Sequence, residues 1–167
     1  MKTRQGSRGI TLIELCFGVA VVAILAGLAA PSLRSTVRNA AMRSAVLDLL
    51  AGLQQARTSS ITQSRPGVFC LSDAAGRCLT GNATAQSWTA FLEAREGQTV
   101  LAGGALPRGL ELHATRARLN FWPDSLAATT STLTICDPAG FARPRALIVS
   151  QNGRVRLADG AGGECPP

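Results

Sequence analysis

The rhythm of apolar and polar positions changes twice along this chain. Residues 15–30 carry no charge and are almost uniformly apolar. A helix that is apolar all round is one surrounded by apolar material. Residues 32–63 are rich in Ala, Leu, Arg and Gln, all good helix formers except for the interspersed Ser and Thr. Within them Leu33, Val37, Ala41, Ala45, Leu49 and Leu53 recur every fourth residue, which lays a slowly drifting apolar stripe along a helix. Arg34, Arg38, Arg43 and Asp48 lie off that stripe. The pattern predicts one helix over 10–63, about 80 Å long at 1.5 Å per residue. Arg65-Pro66-Gly67 ends it. Pro31 deletes one helical hydrogen bond and should bend or loosen it.

Past Pro66 the period becomes that of strands separated by turn residues. Strands are predicted near 67–71, 88–93, 109–114, 117–122, 132–137, 145–151 and 154–158. Phe91, Leu110, Leu112, Leu119, Phe121, Leu133, Ile135, Ile148, Val155 and Leu157 are the expected core. Residues 73–85 read as a polar loop and 160–167 as a Gly/Pro tail. Asn152-Gly153 between two apolar runs predicts a hairpin with a two-residue type I′ turn. That turn would pair Gln151 with Arg154 and Val149 with Arg156. Arg145, Arg154 and Arg156 would then share one face, with Arg143 nearby. The fold class is α+β: a long N-terminal helix packed on a C-terminal antiparallel sheet or sandwich.

With 167 residues, the chain has room for one anchor helix and one small domain. Its formal charge is +7. Loss of residues 1–9 would remove Lys2, Arg4 and Arg8, leaving +4 with arginine as the only basic residue besides His113. Arginine suits bidentate phosphate contacts. There are five cysteines. Cys16 falls in the apolar helix and is expected to be a small packed hydrophobe. Cys70, Cys78, Cys136 and Cys165 form an even set, expected as disulfides in an oxidising compartment. Three pairings are possible; Cys70–Cys78 with Cys136–Cys165 is the sequence-local one and is favoured. Zinc is disfavoured, since no CxxC occurs and His113 stands alone.

The start of the chain carries the most specific signal. An ordinary signal peptide places its small-residue cleavage site after the apolar core; here Gly9 precedes it. This resembles the class III signal of type IV pilins and pseudopilins, in which a prepilin peptidase cuts after Gly and methylates the new N-terminus. Ile10 replaces the family's usual Phe. Glu14 falls at the fifth mature position and Pro31 at the twenty-second, as in that family. The resemblance implies a 1–9 leader, a 10–31 membrane and assembly helix, its amphipathic continuation over 32–65, and a globular domain over 66–167. It also implies a single-pass inner-membrane precursor with a periplasmic domain, later assembled with major and minor pilins. Glu14 would neutralise the Ile10 amine during assembly. An unpaired charge at such a site is costly.

The globular part is similar to the FimT/GspH branch in residues 88–93, in Asn120-Phe121-Trp122-Pro123, in Leu133-Thr134-Ile135-Cys136 and in residues 148–156. In the FimT-like branch a Gly-Arg-x-Arg motif is associated with DNA binding in natural transformation, and Gly153-Arg154-Val155-Arg156 matches it. The expected DNA site is therefore Arg143, Arg145, Gly153, Arg154 and Arg156. Phosphates would compensate such a cluster of like charge. Trp88 and Trp122 could stack on bases, although tryptophans in such strands are more often core. No catalytic set, cofactor motif or metal cluster is legible, and an enzyme is not expected. The alternative function is a minor pseudopilin of a type II secretion system, with a structural role at the pseudopilus tip.

Overall fold

The computed structural model describes residues 11–94, 97–159 and 165, with side chains at 26, 28–32 and 159 outside that description. Gly9 and Ile10, the expected cleavage site, thus lie outside the described residues. The chain forms two compact units, 1–36 and 37–167.

In the first unit, helix α1 (Leu12–Gln63) is capped by Thr11. The Glu14 amide donates to Thr11 Oγ1 at 3.4 Å, and the Leu15 amide to the Thr11 carbonyl at 3.1 Å. Thr-x-x-Glu is the capping-box pattern, and an acid in the first turn suits the helix dipole. Leu12, Ile13, Phe17 and Val22 are all exposed. Cys16 is free and exposed rather than packed. Among the described residues no helix is long and apolar enough to cross a membrane. The helix runs through Pro31 without a break.

In the second unit, α1 continues from Val37 and buries Met42, Ala45, Val46, Leu49, Leu53 and Ala56. The burial follows the expected four-residue step from Ala45 onward, but Leu33 and Val37 are exposed. The remaining elements are β1 (Gly67–Ser72), β2 (Ala83–Ala85), β3 (Ser87–Ala94), β4 (Gly97–Ala105), β5 (Glu111–Ala114), β6 (Arg118–Phe121), β7 (Ser131–Cys136), β8 (Arg145–Val149) and β9 (Val155–Asp159). They make two antiparallel sheets, β4-β3-β1-β6 and β2-β5-β7-β8-β9. One core cluster joins α1 to both sheets through Leu49, Leu53, Phe69, Leu112, Leu119, Leu133 and Ile135. Each such side chain contributes about 1.5–3 kcal/mol by burial.

Two strands were not expected. β2 has three residues and lies within the segment read as loop. β4 carries glycine at 97, 103 and 104 and has no alternating burial. Its glycines admit Trp88: a Cβ on Gly104 would lie 3.2 Å from the indole. Trp88 is 7% exposed and stacks on Phe69 with centroids 5.2 Å apart. Trp122 is 43% exposed. The helix ends at Gln63, where Ser64 turns left-handed (φ 50°) and the Arg65 amide returns to the Ser60 carbonyl.

The disulfides are Cys70–Cys78 and Cys136–Cys165. The first clips the loop after β1. Within that loop, amides of Arg77 and Ala75 and the Arg77 guanidinium hold the Asp73 carboxyl below its ordinary range. The second leaves β7 at the end where Ile135 meets Arg145. It closes a separation of 29 residues. Replacing Cys136 and Cys165 together by serine should lower stability by about 3–4 kcal/mol in the chain-entropy model. Urea unfolding of the oxidised parent and the variant measures it, and equal midpoints would refute it.

Candidate functional site

The β8–β9 hairpin holds the arginine pair. Its turn differs from the expected one. A type I′ turn needs positive φ at both central residues, and of the two only Gly153 has it, at +69°. Ser150 instead pairs with Arg154 around a three-residue loop. The Ser150 amide donates to the Arg154 carbonyl at 3.0 Å and the Gly153 amide to the Ser150 carbonyl at 2.8 Å. Asn152 supports the loop with its side chain: Oδ1 accepts from Ser150 Oγ at 2.6 Å and from the Arg154 amide at 3.3 Å. Gly153 is buried. A Cβ there would lie 3.1 Å from Arg57 Nε and 3.5 Å from Ala128 Cβ.

The extra loop residue slips the register by one, and a slip of one exchanges the faces of a strand. Val149 therefore pairs with Val155, and Ile148 with Arg156. Ala146, Leu147 and Val149 are the buried residues of β8, while Ile148 and Val155 are half-buried and Leu157 is 49% exposed. Arg154 and Arg156 still share a face, because they are two residues apart. Both are exposed. Arg145 sits opposite Asp159 on the other face, at the far end of the hairpin from Gly153. Arg143 is exposed just before it. The structure thus brings Arg154 and Arg156 together and leaves Arg143 and Arg145 apart from them.

The outer face beside this pair is a trough. Ser150, Gln151, Asn152, Arg154 and Arg156 line a depression of about 600 Å³. It shares Ser150 and Gln151 with a second, of about 460 Å³, lined also by Thr115, Arg116, Thr130, Thr132 and Ile148. No carboxylate is among the described lining residues. Guanidinium and hydroxyl groups together are donors suited to phosphate oxygens. Arg116 was not singled out by the sequence. It is one arginine in a short connection, and only the strand order β5-β7-β8-β9 carries it toward the hairpin.

Other charges are engaged elsewhere. Asp137 is buried, and its carboxylate accepts from the amides of Ala139, Phe141 and Ala142. Arg118 pairs with Glu93 and lies over the Phe91 ring at 5.7 Å. His113 Nδ1 is 2.6 Å from Thr84 Oγ1, and its Nε2 is 3.5 Å from Glu111. Arg116, Arg154 and Arg156 enter no ion pair among the described residues.

Residues 45–153 match the family model described as Type II transport protein GspH. No curated protein sequence matches the chain. Among solved structures, the type IV minor pilin FimU of Pseudomonas aeruginosa matches in two crystal forms. In space group P21 the identity is 24% with a TM-score of 0.54, covering 74% of this chain and 91% of FimU. In space group P65 the values are 21%, 0.52, 70% and 91%. The minor pseudopilin EpsH from the Type 2 Secretion System of Vibrio cholerae is 14% identical, with a TM-score of 0.54, covering 70% of this chain and 95% of EpsH.

Proposed function

Because this chain belongs to the GspH family of minor pilins and pseudopilins, whose members are assembled into a pilus or pseudopilus, we propose that it is a pilus subunit that binds DNA for uptake in natural transformation. The observation that carries the reading is the carboxylate-free trough beside Arg154 and Arg156. These two arginines belong to the Gly-Arg-x-Arg segment at 153–156. Arg143 and Arg145 drop out of the proposed contact set, since they lie at the other end of the hairpin. On the same reading a prepilin peptidase cuts between Gly9 and Ile10 and methylates the new amine. The apolar first half of α1 then anchors the precursor in the inner membrane before assembly.

Phosphate contacts release counterions, so log affinity should fall linearly with log salt by about 0.9 per contact. A trough with three arginines makes about three contacts, for a slope of about 2.7 and affinity in the micromolar range or weaker. Several copies in one filament would raise avidity. The full chain in non-ionic detergent micelles, titrated with labelled duplex, tests this. Arg154→Gln with Arg156→Gln should weaken binding at least about tenfold while melting with the parent, because both side chains are exposed. A double variant that melts like the parent and binds equally well overturns the reading. Weight then moves to a structural role in a secretion pseudopilus, to which the EpsH fold corresponds as well as the FimU fold does.

A further inference from the structure

We infer that Arg116 forms the second wall of the trough and holds a third phosphate of the DNA strand whose first two phosphates lie on Arg154 and Arg156. The inference rests on the DNA-binding reading and extends it to a residue on a different pair of strands.

Three observations support it. The first is placement. The Thr115 amide donates to the Thr132 carbonyl, Thr132 pairs with Ile148, and Ile148 with Arg156. Three strand spacings separate the two walls, about 14 Å between backbones. Phosphates of one strand advance about 3.4 Å each along a duplex axis. The walls therefore stand a few nucleotides apart, and the extended arginine side chains shorten the gap further.

The second is pre-organisation. The Arg116 backbone is clamped on both sides by one buried hydroxyl: Ser131 Oγ accepts from the Arg116 amide at 3.1 Å and donates to its carbonyl at 2.9 Å. Thr115 Oγ1 in turn accepts from the Thr132 amide at 3.0 Å. The guanidinium donates through Nη1 to Thr130 Oγ1 at 3.3 Å. A side chain already fixed toward its target loses less freedom on binding.

The third is chemistry. The floor between the walls is made of Thr130, Thr132, Ser150 and the half-buried Ile148. Hydroxyls can donate to phosphates between the two walls, and the apolar Ile148 suits a deoxyribose edge. Arginine opposite arginine across such a floor repels unless an anion lies between them.

The test is a salt titration of duplex binding by the full chain in non-ionic detergent. Arg116→Gln should lower the slope by about 0.9 and weaken binding about eightfold at 0.1 M salt. It should melt with the parent, since the clamp runs through the backbone and Ser131. Arg116→Lys should retain the slope. Arg43→Gln on α1 removes the same charge elsewhere and should leave the slope unchanged. Thr130→Val should weaken binding at constant slope. An Arg116→Gln variant with the parent's slope and affinity, alongside a double hairpin variant that has lost binding, overturns this inference and leaves the DNA reading standing. An equal drop in slope for Arg43→Gln overturns it as well, since the effect is then net charge. A parent that binds no duplex overturns both.

Discussion

Gly67→Ala should destabilise the second unit by about 2–6 kcal/mol and lower its melting temperature by about 10 °C or more. Gly67 opens β1, the strand buried along its whole length between β3 and β6. It faces α1. A Cβ there would run into the Ala56 carbonyl oxygen, with Ser60 Cβ at 3.0 Å and the Ala56 carbonyl carbon at 3.2 Å. These are backbone and short side-chain atoms of a helix, so no flexible group can swing aside. The helix must lift. Lifting it also loosens the bond from buried Ser60 Oγ to the Phe121 carbonyl, 3.0 Å. Overpacking costs about 1–3 kcal/mol and an orphaned buried acceptor about 1–3 more. Against a stability of about 5–15 kcal/mol the loss is a large fraction. Gly103→Ala is the control. A Cβ there makes ordinary contacts, the nearest at 3.4 Å, so its melt should stay within about 2 °C. Thermal melts followed by circular dichroism decide; a Gly67→Ala protein melting with the control refutes the close-approach argument.

Glycine also marks where the sequence was hard to read. Gly67 reads as part of a helix stop, and its role as the contact point of helix and sheet depends on a register that no local pattern encodes. β4 escaped because its alternation is erased by three glycines and because an edge strand exposes both faces; its glycines make sense only once Trp88 is seen packed against Gly104. The helix and most of β1, β3, β5, β6, β7 and β8 are legible for two reasons: β5 and β6 bury one face and write it into their period, while β1 and β7, buried almost throughout, read as short apolar runs bounded by turn residues. Phe91, Leu110, Leu112, Leu119, Phe121, Leu133 and Ile135 are buried as expected. The hairpin was half legible. Asn-Gly located the turn, but the turn's length was decided by Asn152 bonding Ser150 and by Gly153 seating on Arg57 and Ala128. That extra residue turned Ile148 away from its expected place and separated Arg145 from Arg154 and Arg156, while Leu157, opposite buried Leu147, is exposed because β9 is the edge strand. Arg154 and Arg156 survived the slip because two residues along a strand share a face in any register. Arg116 had no motif to mark it.

Glu14→Gln should leave the protein cleaved and in the membrane, yet reduce its incorporation into filaments at least about tenfold, by the cost of leaving one charge unpaired in apolar surroundings. Two roles for Glu14 can be separated by this choice of substitution. The structure places Glu14 three residues after the capping Thr11, whose Oγ1 accepts the Glu14 amide. Glutamine serves a capping box as glutamate does, so Glu14→Gln preserves the start of α1. It removes only the charge. If Glu14 matters as a helix-starting residue, glutamine is tolerated and valine is harmful. If it matters as the partner of the amine exposed at Ile10, both fail. The surroundings favour the second outcome. Leu12, Ile13, Leu15 and Phe17 are 58–81% exposed around it, so the carboxylate stands in an apolar girdle. In lipid or in a filament core a lone carboxylate or a lone ammonium costs several kcal/mol, and each removes the cost of the other. Pairing between neighbouring subunits would also set their axial register. The measurement compares processed protein in membranes with protein in sheared filaments for the parent, Glu14→Gln and Glu14→Val. Normal filament content of Glu14→Gln, with only Glu14→Val depleted, reduces Glu14 to a helix cap and removes the charge pair from the assembly mechanism.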